Sequence, residues 1–175
     1  MVPVRLVLSA ALLVSATPAL AQNIKAETIA AIDDAATKLV ALAEAMPADK
    51  YSWRPAPGVR SVSEVFIHVA GGNLGIPGIA GVKRRPDAPL ARDAEKTVTD
   101  KAAVIAALKA SFTFVKAAVN DVPDAELDAS VNLFGQKSTK RGVLLLLATH
   151  NHEHLGQTIA YARMNGVKPP WSGGN

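Results

Sequence analysis

Apolar residues recur every three or four positions along four segments of the chain, which is the spacing of one face of an amphipathic α-helix. The first segment covers about residues 24–46 and ends at Pro47. The second opens with Ser61-Val62-Ser63-Glu64, which fits a capping box in which serine and glutamate satisfy free amide groups. Glycines accumulate from Gly71 onward, so this helix is expected to be short, kinked or frayed after Gly72.

The third segment covers about residues 100–120, with Thr99 as its expected cap, and the fourth begins near Arg141 and ends at Asn165-Gly166. Residues 121–141 are rich in turn formers, and no strand alternation long enough to predict a sheet is present. The pattern therefore predicts an all-α fold, a four-helix bundle with long connecting loops. Loops of this length exceed those of a minimal bundle, and we expect them to form the rim of a site.

The N-terminus has the features of a secretory signal peptide. Arg5 precedes an apolar run over residues 6–14, and Ala19-Leu20-Ala21 has the small-x-small pattern of a signal-peptidase site. Cleavage after Ala21 would leave residues 22–175 as a single domain in the bacterial periplasm. A buried N-terminal helix or a retained anchor is the alternative.

The amino-acid composition limits the kinds of catalytic or metal site that the chain can form. The 175 residues include no cysteine, which excludes disulfides, thiolate zinc sites, iron–sulfur clusters and a cysteine nucleophile. Any metal must be held by His, Asp or Glu. The net charge is only +4, and the densest basic stretch, Lys83-Arg84-Arg85, lacks interleaved aromatics, so nucleic-acid binding is not expected. No segment after the signal peptide is expected to span a membrane.

The four histidines are the main candidates for chemistry. His150 and His154 stand one turn apart on the bundle-facing side of the fourth helix, whereas His152 points away from it. Such a pair can converge on one divalent ion, and His68 on the second helix is the remaining histidine that could complete a three-ligand site. Inward histidines are also common as hydrogen-bonded core residues, and spacing alone leaves both readings open.

Other catalytic chemistry has weaker support in the sequence, and a Ser-His-Asp triad stays open as an alternative. Glu153 lies between His152 and His154, so the His-Glu-x-x-His pattern fails, and Glu153 is expected to be solvated. The glycines of residues 71–81 lack the ending of a phosphate-binding loop, and no Gly-x-Ser-x-Gly elbow occurs. Trp53 and Trp171 are expected to pack at the edge of the core.

Three stretches of the chain resemble the DinB superfamily of metal-binding four-helix bundles: Trp53–Ser61, Glu64–Val69, and His150–Gln157 with its continuation through Arg163–Gly166 and Pro169–Ser172. The resemblance implies that His68, His150 and His154 are metal ligands and that His152 is not. It also implies a divalent ion, most often zinc or nickel, and a homodimer. Better-understood members of the family are thiol-dependent transferases and isomerases. The chain departs from the family pattern in its export signal and in the glycines after His68.

Three functional hypotheses follow. The first is an exported metal-dependent enzyme, a hydrolase or a thiol-dependent transferase acting on a small molecule. The second is a non-catalytic periplasmic bundle that binds a metal or small ligand, or protects against stress. In the third, the histidines are only structural.

Overall fold

The computed structural model describes residues 19–84 and 90–173, with side chains from residue 24 onward. Most of the predicted signal peptide, residues 1–18, lies outside this part of the chain. The described residues form five α-helices and one β-hairpin: α1 (Ala19–Ala45), α2 (Val62–Gly75), α3 (Ala94–Thr97), α4 (Lys101–Asp121), β1 (Ser130–Leu133), β2 (Gln136–Thr139) and α5 (Lys140–Met164). Short 3-10 turns cover Ala48–Lys50, Ile76–Ala80 and Asp124–Glu126.

The four long helices form the predicted bundle. Helix α1 packs against α4 and α5, and α2 packs against the same two helices. Each helix turns its apolar face inward, and burial of these faces is the main stabilising contribution to the fold. The core is built from Ile32, Leu39 and Leu42 of α1, Val65, Phe66 and Val69 of α2, Val104, Leu108 and Val115 of α4, and Val143, Leu144 and Leu147 of α5.

Side chains at the helix starts explain where the helices begin. The capping box of α2 is present: the Ser61 hydroxyl accepts from the Glu64 amide, and the Glu64 carboxylate accepts from the Ser61 amide at 2.7 Å. The expected cap of α4 is wrong by one residue, because Asp100 rather than Thr99 accepts from the Ala103 amide, at 2.9 Å. An aspartate at that position reaches the free amide of the first turn directly.

The expectation that no sheet would be found is also wrong. Strands β1 and β2 pair antiparallel, from Ser130 opposite Thr139 to Leu133 opposite Gln136. They are joined by a two-residue turn in which Phe134 has φ 53° and Gly135 has φ 89°. Positive φ at both positions defines a turn that usually begins with asparagine, aspartate or glycine, so a phenylalanine there gives no hairpin signal in the sequence.

Helix α2 extends three residues beyond Gly72, ends at Gly75, and continues directly as the 3-10 turn Ile76–Ala80. The glycine-rich segment is therefore ordered helix rather than a frayed end. Two of the long loops fold back toward α2 and α5: the loop before α4 contains α3, and the loop before α5 contains the hairpin.

Among the described helices, α4 is long and apolar enough to meet a length-and-composition criterion for a membrane span, with a mean hydropathy of 1.7. No segment of this length and composition was expected after the signal peptide. Its apolar residues Val104, Leu108, Val115 and Val119 are buried in the bundle, which accounts for the composition of this helix.

Candidate metal centre

Three of the four histidines come together between α2 and α5. His68 comes from α2, and His150 and His154 come from successive turns of α5; each offers a ring nitrogen within 4.8 Å of the others. The Nε2 atoms of His68 and His150 are 3.4 Å apart, and the three ring centroids are separated by 4.7 to 5.3 Å. The structure thus brings together the three residues named from the sequence.

His152 lies apart from this cluster, as its position on the helix predicts. Its Nδ1 lies 2.9 Å from the carbonyl of Ala148, and its Nε2 lies 3.6 Å from a carboxylate oxygen of Asp34 on α1. Glu153 is exposed. Trp53 packs edge-on against Tyr161 at 5.4 Å, at the edge of the core, while Trp171 is 39 % exposed.

Two of the clustered histidines are held through Nδ1 by side-chain oxygens. His68 Nδ1 lies 2.8 Å from Glu95 Oε1, and His154 Nδ1 lies 2.8 Å from Gln157 Oε1. Because these oxygens accept hydrogen bonds, each Nδ1 carries a proton, and Nε2 is the nitrogen of each ring that can bind a metal. A hydrogen bond at one ring nitrogen and a free lone pair at the other are characteristic of metal-binding histidines.

The orientation of the Gln157 amide is set by its own partners. Gln157 Nε2 donates to the Tyr161 hydroxyl at 3.0 Å, and that hydroxyl donates to the Arg60 carbonyl at 3.1 Å. The amide nitrogen is thereby committed to Tyr161, and the amide oxygen faces His154.

Glu95, which was not among the candidate residues of the sequence, bridges His68 to Arg60. Its second oxygen accepts from Arg60 Nε at 2.9 Å. Burial raises the pKa of Glu95, but hydrogen bonds from Arg60 and His68 outweigh that effect and hold the pKa below its ordinary value. Glu95 belongs to the four-residue helix α3, which is too short to produce a periodic pattern; the only indication was the expectation that long loops would border the site.

His150 is packed against the backbone of α2 at Gly72. A Cβ atom at Gly72 would lie 2.4 Å from His150 Cε1, so this approach requires glycine. Burial, followed by the neighbouring His154 and His68, lowers the pKa of His150 to about 4, and burial also lowers the pKa of His154. Both rings are therefore neutral at pH 7, the form that binds metal.

The donor set fits a divalent ion of borderline softness. Imidazole nitrogens suit zinc and nickel, and His150 Nδ1 is buried without a hydrogen-bond partner among the described residues. The other ring nitrogen, His150 Nε2, is the one that lies 3.4 Å from His68 Nε2.

A cavity of about 530 Å³ opens beside His68 and His150. Apart from these two histidines, the described residues of its wall are apolar or glycine: Gly71, Gly72, Gly75, Ile76, Ile79, Phe134 and Leu146. We call this cavity the apolar cleft. The hairpin contributes Phe134 to its wall, so one of the long loops does border the site.

The bundle and its three-histidine centre define a class of helical proteins positioned to bind a metal ion. Residues 31–158 match the family model of the DinB superfamily, and the chain belongs to that family. It is 28 % identical over 129 residues to the Bacillus subtilis protein YjoA, covering 71 % of this chain and 80 % of that protein.

Two solved structures share the fold. The crystal structure of the DinB-like protein YjoA from Bacillus subtilis matches with a TM-score of 0.62 and 21 % identity, over 80 % of this chain and 92 % of that one. A DinB-like protein from Bacillus cereus ATCC 10987 matches with a TM-score of 0.64 and 19 % identity, over 78 % and 89 % of the two chains. The resemblance noted in the sequence and its four-helix fold are confirmed.

Proposed function

We propose that the chain binds one divalent metal ion, zinc or nickel, through His68, His150 and His154 and acts as a metal-dependent hydrolase on a small molecule. The observation that carries this proposal is the pair of Nδ1 hydrogen bonds from His68 to Glu95 and from His154 to Gln157. A ring held through Nδ1 presents Nε2 to a metal ion, and the three histidines each offer a ring nitrogen within 4.8 Å of the others.

An ion held by three imidazoles keeps coordination positions open, polarises a substrate and lowers the pKa of a bound water molecule. The protein's own groups would hold and orient that ion. Glu95 and Gln157 orient the rings of His68 and His154 through hydrogen bonds. Gly72 has no side chain and so leaves room for the ring of His150. Hydrolysis is favoured over thiol transfer because export, which the N-terminal segment supports, would separate the chain from the cytosolic pool of thiol cosubstrates.

A non-catalytic metal- or ligand-binding bundle is the second candidate, and one observation favours it. Glu95 is a carboxylate in contact with His68, and both of its oxygens are engaged, one by His68 and one by Arg60. It is therefore poorly placed to accept a proton as a general base.

The metal proposal is tested by elemental analysis of residues 22–175 purified without a histidine tag and reconstituted with zinc or nickel. We expect one ion per chain in the wild type and in His152→Ala, and none in His154→Ala. An unaltered metal content in His154→Ala would make the histidines structural. Turnover across esters, amides, phosphoesters and thiol–electrophile pairs then separates a hydrolase, a transferase and a binding protein.

Export and dimerisation are further proposals. Export is supported by Arg5, the apolar run of residues 6–14 and the Ala19-Leu20-Ala21 site. N-terminal sequencing of protein from the periplasmic fraction should begin at Gln22. A homodimer is supported by the family resemblance. Light scattering should give twice the chain mass, and a monomer mass would contradict the dimer.

A further inference from the structure

We propose that the apolar cleft receives an uncharged apolar group of the substrate while the polar end of the same molecule meets the histidine centre. This inference rests on the proposed function and adds a substrate class to it. The substrate would be a small molecule that carries an aliphatic chain or an aromatic ring next to its metal-ligating group.

The first argument is the position of the cleft. His68 and His150 belong both to the candidate metal centre and to the wall of the cleft, so the cleft adjoins the centre. A volume of about 530 Å³ lies in the range of small-molecule sites. A ligand held at the histidines would extend into the cleft.

The second argument is the chemistry of the wall. Besides the two histidines, the described wall consists of three glycines, Ile76, Ile79, Leu146 and Phe134. None of these side chains offers a hydrogen bond or an opposite charge. A polar or charged group would lose its hydration there without compensation, whereas an apolar group gains from leaving water.

The third argument is the unfavourable environment and backbone conformation of Phe134. It is 75 % exposed, and its φ of 53° lies in the left-handed region that a bulky residue rarely adopts. Neither burial nor turn chemistry explains a phenylalanine at this position of the hairpin. An aromatic ring at the cleft would be explained by contact with an apolar ligand.

The helix beneath the cleft is consistent with this role. Gly75 lies at the end of α2, where an added Cβ would meet nothing within 4 Å, so close packing does not require glycine there. A side chain at this position would instead project into open space at the cleft. Gly78, on the following 3-10 turn, has the same open surroundings but does not line the cleft.

The two glycines provide a matched pair of variants, Gly75→Leu and Gly78→Leu. The first measurement uses the neutral apolar dye N-phenyl-1-naphthylamine and metal-free protein of residues 22–175. We expect the dye to bind the wild type and Gly78→Leu with similar affinity and Gly75→Leu at least ten-fold more weakly. If the dye binds both variants equally, or does not bind the wild type, the proposal that the cleft is an apolar binding site is wrong.

The second measurement uses metal-loaded protein and a series of alkyl hydroxamates from acetohydroxamate to octanohydroxamate, which carry a metal-ligating end. Affinity for the wild type and Gly78→Leu should rise about four-fold for each added methylene group. In a Gly75→Leu protein that still loads one ion per chain, this dependence should disappear. A series without dependence on chain length in the wild type would overturn the link between cleft and centre.

The two proposals fail in different ways. Absence of a bound ion in the wild type, with normal dye binding, contradicts the proposed function and leaves the cleft as an apolar site without a metal-ligating end. If the protein loads one ion per chain and binds acetohydroxamate, but Gly75→Leu does not weaken dye binding, only the proposal of an apolar site in the cleft is contradicted.

Discussion

Glu95 touches His68 but, in the proposed centre, would not touch the metal, which makes it a positioning residue. We predict that Glu95→Gln weakens zinc affinity by about ten-fold, because an uncharged amide holds His68 Nδ1 less strongly and no longer pairs with Arg60. Competition with a chromophoric chelator measures the change. Glu27→Gln, an exposed position on α1, is the control and should keep the wild-type affinity. Equal affinities for the two variants would contradict the role of Glu95.

Gly72 determines how closely His150 approaches α2. In Gly72→Ala the new methyl group would overlap the imidazole, so the ring must move. Gly71→Ala is the matched control, because its Cβ would lie 3.9 Å from Leu90 Cδ2, an ordinary contact.

We therefore predict that Gly72→Ala lowers zinc affinity by ten-fold or more, measured by the same chelator competition, while Gly71→Ala retains it. Both substitutions replace a helical glycine and gain helix propensity, so a difference between them reports the contact with His150. Unchanged affinity in Gly72→Ala would show that the ring position does not matter for binding.

At the scale of elements, local chemistry made some features predictable. The four long helices follow from apolar spacing, the start of α2 from its capping box, and the shared face of His150 and His154 from helix geometry. Helix α3 and the hairpin were missed because each regular segment has only four residues. The contact between Gly72 and His150 joins residues far apart in the sequence, and no local pattern encodes it.

The capping box of α2 also creates a pH-dependent contribution to stability. Glu64 is buried, and burial alone would raise its pKa; hydrogen bonds from Lys96, the Ser61 amide and Arg54 instead lower the pKa to about 2. Because the pKa of Glu64 is lower in the folded protein than its ordinary value of 4.5, its carboxylate stabilises the folded state at pH values above 4.5. This contribution is lost as the pH falls from 4.5 toward 2.

We predict that Glu64→Gln lowers the free energy of unfolding at pH 7 by about 2 kcal/mol, a figure reduced for the solvent exposure of Lys96 and Arg54. The difference from the wild type should shrink below pH 4.5. Urea unfolding of metal-free protein between pH 7 and pH 3 measures it. Glu44→Gln removes an exposed ion pair with Lys109 and should change stability by less than about 0.5 kcal/mol. A difference independent of pH would contradict the lowered pKa.

At the scale of the whole molecule, buried polar side chains link three helices beside the metal centre. Asn151 on α5 donates to Asn73 Oδ1 on α2 at 2.9 Å and to the Leu147 carbonyl at 2.8 Å. Asn73 in turn donates to Ser111 Oγ on α4 at 3.2 Å. All three side chains are completely buried. Because this chain has no disulfide, such contacts and apolar packing must hold α5 in register with α2. The same register keeps His150 and His154 opposite His68.

We predict that Asn151→Ala lowers the free energy of unfolding by about 2–4 kcal/mol, since it leaves Asn73 Oδ1 buried without a donor and opens a cavity. The melting temperature should fall by about 6–12 °C, measured by calorimetry on metal-free protein. His152→Ala changes the next residue of the same helix, but that side chain is exposed, and the cost should stay within about 1 kcal/mol. Because Asn151 and Asn73 share one hydrogen bond, the Asn73→Ala/Asn151→Ala double variant should lose less than the two single variants together. Equal stability of Asn151→Ala and His152→Ala would show that packing alone sets the register of the histidine-bearing helices.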